Sequence, residues 1–126
     1  VFPLFFLAVG AIMAFLAVAL GAFAAHGLRQ KRDVSELQVF QTGVTYQMYH
    51  ALAIIGVASL HFWQPQLLTL WVEVCFLVGI ILFSGSLYLL TWTRVKRWGA
   101  VTPVGGIFFL LGWALLFVLA LQHLNT

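Results

Sequence analysis

Six basic residues fall in two clusters, Arg29-Gln30-Lys31-Arg32 and Arg94-Val95-Lys96-Arg97, and they punctuate a chain that is otherwise almost free of charge. Uncharged runs cover residues 1–28, 37–72, 74–93 and 98–126. A helix needs about 20 consecutive apolar residues to cross a hydrocarbon core. Each run therefore holds one span, with room for a turn in the second. In lipid the backbone must satisfy its own hydrogen bonds, as a helix does. The prediction is an all-α membrane protein, a four-transmembrane-helix bundle forming one integral-membrane domain over residues 1–126.

Composition agrees. Of the 126 residues, 63% are hydrophobic and 7% charged, against roughly 25% charged in a soluble domain. The net charge of +3 could suggest a nucleic-acid partner. All six basic residues, Arg29, Lys31, Arg32, Arg94, Lys96 and Arg97, sit beside spans, however, where they act as topology signals and lipid-headgroup contacts. The expected partners are membrane lipids and either a partner membrane protein or further copies of the chain, with no nucleic acid. The first run is longer than a signal-peptide core of about 7–15 residues and starts without charge, so it reads as a retained helix. Cys75, the one cysteine, falls in a span and reads as a small buried apolar residue.

Helix boundaries follow from breakers and caps. The first helix is predicted over about 4–26, with Gly27 as its stop, and its small residues Gly10, Ala14, Ala17, Gly21 and Ala24 form one stripe suited to close packing. Asp33 and Glu36 form a variant capping box that starts the second helix near Val34 and carries it to about 62. His61, Trp63 and Gln64-Pro65-Gln66 read as the turn that follows. The third helix is predicted over 67–92. Thr102 and Pro103 read as N-cap and first residue of a fourth, over 103–121. Both basic loops are then cytoplasmic and both ends of the chain face outward.

The polar string Gln41-Thr42-Gly43-Val44-Thr45-Tyr46-Gln47-Met48-Tyr49-His50 lies in the second span. Tyr46, Gln47 and His50 are three and four residues apart, so they can share a face. With the first hairpin centred near residue 30 or 31, His50 comes to the depth of Gly10 and Ala11, which leave room for its ring. These three residues are the candidate buried polar or ligand site, and interhelical hydrogen bonding competes there with ligand binding or proton and ion relay. No cofactor is called for: a haem bundle would want a second deep histidine, whereas His26, His61 and His123 fall near interfaces. Glu73 is the only acid inside a span. With the last loop centred near residue 97 or 98, it is expected either to snorkel or to pair with Gln122 and His123 at the rim, a proton or cation site being the sharper reading. The spacing of His61, Glu73 and His123 is too loose to assign a metal. Ser84, Gly85 and Ser86 interrupt the third helix ahead of Tyr88, as a close-packing contact or an unwound cavity wall.

The segments Gly21 to Leu28, Gln41-Thr42-Gly43 through Tyr46-Gln47 to His50-Ala51-Leu52-Ala53, Leu82 to Tyr88, and Thr102-Pro103-Val104-Gly105-Gly106 with Gly112-Trp113 occur in order. Together they resemble the signature segments of a small membrane protein family, domain of unknown function 423, related to the transmembrane protein 256 group. The resemblance implies a multi-pass protein of bacterial inner membranes and carries no activity with it. It makes His26, Gln41, Tyr46, Gln47, His50, Ser84, Ser86, Tyr88, Thr102 and Pro103 the family-defining positions. Glu73 and His61 lie outside them.

The functional expectation is a non-enzymatic accessory or interaction subunit with a buried polar face on its second helix. The alternative is a small oligomeric transporter or channel past Gln47 and His50. A lipid- or small-molecule-binding protein or an enzyme stands third, because no paired acid, base or nucleophile lies at depth.

Overall fold

A computed structural model describes residues 2–124, and these form four long helices. They are α1 (Phe2–His26), α2 (Val34–Trp63), α3 (Leu67–Thr93) and α4 (Trp98–Gln122). A short 3₁₀ turn, Leu28–Gln30, links the first two. Helices α1, α3 and α4 are each long and apolar enough to cross a membrane. Helix α2 is longer and more polar, and it lies between α1 and α3, while α4 closes on α3. The polarity of α2 is thus covered by protein: Gly43, Gln47, His50 and His61 are all buried.

The expected capping box is present, with Asp33 accepting from the Glu36 amide at 2.8 Å and the Glu36 carboxylate accepting from the Asp33 amide at 3.4 Å. The small stripe of α1 is also the packing face, since Gly10, Ala17 and Ala24 are buried. A β-carbon at Gly10 would sit 3.0 Å from the Ala51 carbonyl, which fits a hairpin centred near residue 31.

Four expectations need correction. The fourth helix starts at Trp98 rather than Pro103, which is inside it. The amides of Trp98, Gly99 and Ala100 bond back to Val95, Lys96 and Arg97, so the helix nucleates in the loop itself, and Pro103 leaves one carbonyl of its first turns without a helical donor. The α3–α4 turn consequently centres on Arg94, three or four residues earlier than expected. Phe76 meets Gly112, Gly79 meets Phe109 and Phe83 meets Gly105, pairs placed symmetrically about Arg94. The third correction concerns α3 itself, which is neither uniform nor unwound: Ile80–Ser84 is a π-helical segment in which the Gly85 amide reaches back to Ile80. His61, expected in a turn, instead lies in the last turn of α2.

The two basic loops meet at one end. Arg32 donates to the Thr91 carbonyl at 3.2 Å, and Arg94 grips Glu36 through two bonds of 2.8 and 3.2 Å. Arg94 adopts a left-handed conformation, φ 58°, at the end of α3, a position that glycine more often fills. Hydrogen bonds from the Glu36 amide and the Ser35 hydroxyl hold the Asp33 carboxyl below its ordinary range, and the Arg94 guanidinium does the same for Glu36. Carboxyls lowered in the fold contribute stability above their unfolded values, and it is lost as pH falls through their folded ones. Thermal melts at decreasing pH will show this acid limb in the wild type and a flatter one in Asp33→Asn.

The positive-inside bias predicts that both loops are cytoplasmic; on that prediction Lys31→Cys will react with an impermeant maleimide in inverted vesicles and not in intact cells. Cys75, the native thiol, is buried, so background labelling is low.

Candidate functional site

The π segment organises the polar site. A widened turn pushes backbone outward, and both neighbouring helices meet it with glycine. A β-carbon at Gly105 of α4 would overlap the backbone of Phe83 and Leu82. On the other side, Gly43 of α2 lies under Tyr88, whose Cε1 would be 2.8 Å from a β-carbon there, and the Ser84 hydroxyl donates to the Gly43 carbonyl at 2.7 Å. Three sequence motifs remote from one another, Thr42-Gly43, Ser84-Gly85-Ser86 and Thr102 to Gly106, therefore converge on one irregular turn.

From that turn the polar side chains fan out as clasps. Ser86 and Thr102 share a hydrogen bond at 2.5 Å between α3 and α4. The Tyr88 hydroxyl donates to Gln47 Oε1 at 2.6 Å, and Gln47 Nε2 donates to the Met13 carbonyl at 2.8 Å, joining α3, α2 and α1. His50 faces the opposite way. Trp113 of α4 donates its indole N–H to His50 Nε2 at 3.0 Å, which makes Nε2 the acceptor and places the ring proton on Nδ1. Nδ1–H then donates to the Tyr46 carbonyl at 2.8 Å. The imidazole lies flat on Phe109, with centroids 3.6 Å apart and planes 8° apart. His50 is therefore a neutral ring with both nitrogens committed.

Gln47 and His50 thus do not share a face as expected: one turns to α1 and α3, the other to α4. The depth match with Gly10 holds, but Ala51 and Ile55 occupy that contact rather than the His50 ring. Tyr46 is 39% exposed and contributes its carbonyl and ring. Gln41 is half-buried nearly two turns before Gln47, and His26 is exposed at the end of α1, so neither joins the site. Trp113 is the partner that sequence reading did not assign. Its signal was available: an indole N–H in the middle of a span needs an acceptor.

Glu73 departs most from expectation. It neither snorkels nor pairs with His123; it is fully buried, with Oε1 at 3.1 Å from His61 Nδ1. His123 is instead hydrogen-bonded to Gln66 at 2.8 Å. The earlier turn about Arg94 moves Glu73 away from the end of α4, and its position on the Thr69–Val72–Phe76 face directs it to α2. Among the described residues, no three His, Cys, Asp or Glu side chains come together as metal ligands.

Between α2 and α4 the aromatic side chains leave a groove of about 460 Å³ lined by Tyr46, His50, Phe83, Pro103, Phe109 and Trp113. It opens on the surface of the bundle, and its lining is almost wholly apolar.

These features define a small all-α integral membrane protein with an internal hydrogen-bonded clasp. The family described as "Protein of unknown function (DUF423)" matches residues 20–106. The "UPF0382 membrane protein YwdK" of Bacillus subtilis is 45% identical over 123 residues, covering 94% of this chain and 98% of the relative. The "UPF0382 inner membrane protein YgdD" of Escherichia coli K12 is 44% identical over 118 residues, covering 94% and 90%. The chain belongs to the DUF423 family, as its sequence segments suggested. No solved structure matches it.

Proposed function

We propose that the protein is a non-enzymatic interaction subunit that presents the α2–α4 groove to a partner membrane helix. The observation that carries this reading is the commitment of the polar groups nearest the groove to partners inside the bundle. Both nitrogens of His50 and both ends of the Gln47 amide have partners inside the bundle. Catalysis or relay calls for groups with spare hydrogen-bonding capacity, whereas a clasp of this kind rigidifies the helices that frame a binding surface. The groove itself is apolar and aromatic, the character of a surface that engages another helix in lipid through van der Waals contact.

Gly106 lines the groove, and the nearest atom to a β-carbon there would be 3.9 Å away, so Gly106→Phe fills it without disturbing the clasp. Purification from native membranes in mild detergent will recover a partner with the wild type and lose it with Gly106→Phe. A chain that runs alone, or only with copies of itself, counts against the reading. Transport past Gln47 and His50 is the rival. It requires proteoliposome flux that His50→Ala changes.

A further inference from the structure

The end of the bundle opposite the basic loops holds a second polar cluster that the clasp does not use. Glu73 and Thr69 are one turn apart on α3, and both are 0% exposed. Glu73 Oε1 meets His61, but Glu73 Oε2 and Thr69 Oγ1 have no hydrogen-bond partner. A carboxylate sealed in this way and left with an unpaired oxygen is strongly disfavoured. Removing one partner of such a pair would be worse still.

The other groups facing it are few. Helix α2 supplies His61, and α4 supplies His123 at the rim, bound to Gln66. On α3, Cys75 turns towards Gly112 of α4, and among the described residues α1 brings no ionisable side chain to this end, its His26 being at the other. No lysine or arginine is within reach, since all six lie in the basic loops. Among the described residues, the charge of Glu73 can therefore be balanced only through His61, the alternative being a cation from outside.

From this arrangement we infer that Glu73 and His61 form a proton-binding site in which the two residues together hold one exchangeable proton. The proton resides on His61 Nδ1 or on Glu73 Oε1 and passes along the 3.1 Å line between them; either placement leaves the pair neutral overall. Release to water leaves a carboxylate beside a neutral imidazole. Exchange is one-sided. The Glu73 side chain has no exposure, whereas that of His61 retains 9%, so protons enter and leave through the imidazole. The site stands apart from the α2–α4 groove and does not rest on the function proposed for it.

The test is acid–base infrared difference spectroscopy on the full chain in lipid nanodiscs. Assignment is tractable because the chain has only three acids, and the other two, Asp33 and Glu36, are at the opposite end. The expected result is one carboxyl signal that changes together with one imidazole signal at a single midpoint. Glu73→Gln removes the carboxyl change and moves the imidazole midpoint. His61→Phe slows hydrogen–deuterium exchange of the carboxyl at least tenfold. Carboxyl and imidazole signals that titrate at separate midpoints, or a carboxyl signal at the shared midpoint that survives Glu73→Gln, overturn the inference. So does a carboxyl signal abolished at fixed pH when sodium replaces choline, which would make the site one for a metal cation. The midpoint and sodium measurements use the wild type alone and stand even if a variant does not fold.

Discussion

Gly105→Ala will destabilise the bundle by about 3 kcal/mol, the upper part of the range for overpacking a well-filled interior. The added methyl meets the backbone of Phe83 and Leu82 rather than the tip of a side chain. Backbone in a helix cannot step aside by rotating a χ angle, so α3 and α4 must separate. Gly85→Ala is the matched control. It is one residue beyond the π segment, with nothing within 4 Å of a β-carbon and φ −59°, ψ −42°. There the substitution gains helix propensity of up to about 1 kcal/mol and should be neutral or stabilising. Thermal unfolding of the two variants in detergent, followed by circular dichroism, separates the outcomes. Equal melting temperatures would show that α3 and α4 do not approach at Gly105 as closely as described.

Gln47→Leu is expected to have the second-largest effect, about 2 kcal/mol. An interhelical hydrogen bond in a membrane averages only about 0.6 kcal/mol, so the lost bond is the smaller part. The larger part is the Tyr88 hydroxyl, which loses its Gln47 acceptor inside the bundle and keeps only Ser84 beside it, a loss worth about 1–3 kcal/mol. This predicts non-additivity. Gln47→Leu combined with Tyr88→Phe should cost less than the two single changes added together, with a coupling of about 1–2 kcal/mol. Strict additivity in denaturant titrations would mean that the pair is not joined.

The four helices, the Asp33 capping box and the α1–α2 register were legible in the sequence because each depends on local signals: charge-free runs, cap residues and a stripe of small side chains. Helix α4 was misread at Pro103 because proline is a strong start signal, and the turn nucleated by Trp98 to Ala100 overrides it. That single error displaced the α3–α4 register and, with it, the partner assigned to Glu73. Of the three residues expected to form a buried polar group, Gln47 and His50 are buried and Tyr46 is exposed, and spacing along one helix does not say which neighbour lies on which side. Gln47 and His50 diverge because α1 and α4 flank α2 on different sides. The His61–Glu73 contact depends on how α2 and α3 meet across a turn, and no local pattern encodes it.

The π segment also sets the timing between the two halves of α3. The i→i+5 bonding there takes up about one residue more than an α-helical turn does, so everything after Ser84 is rotated relative to an uninterrupted helix of the same length. That rotation brings Ser86 round to Thr102, Tyr88 to Gln47 and the Thr91 carbonyl to Arg32. An uninterrupted α-helix of the same length through Ile80–Ser84 would turn the second half by about 100°. All three contacts would then be lost while Glu73 and His61 stayed engaged, whereas deleting one residue from the segment removes the extra residue and keeps the contacts in phase. The irregular turn thus works as a phase shifter: one apolar rod presents one set of partners at one membrane face and an independently aimed set at the other.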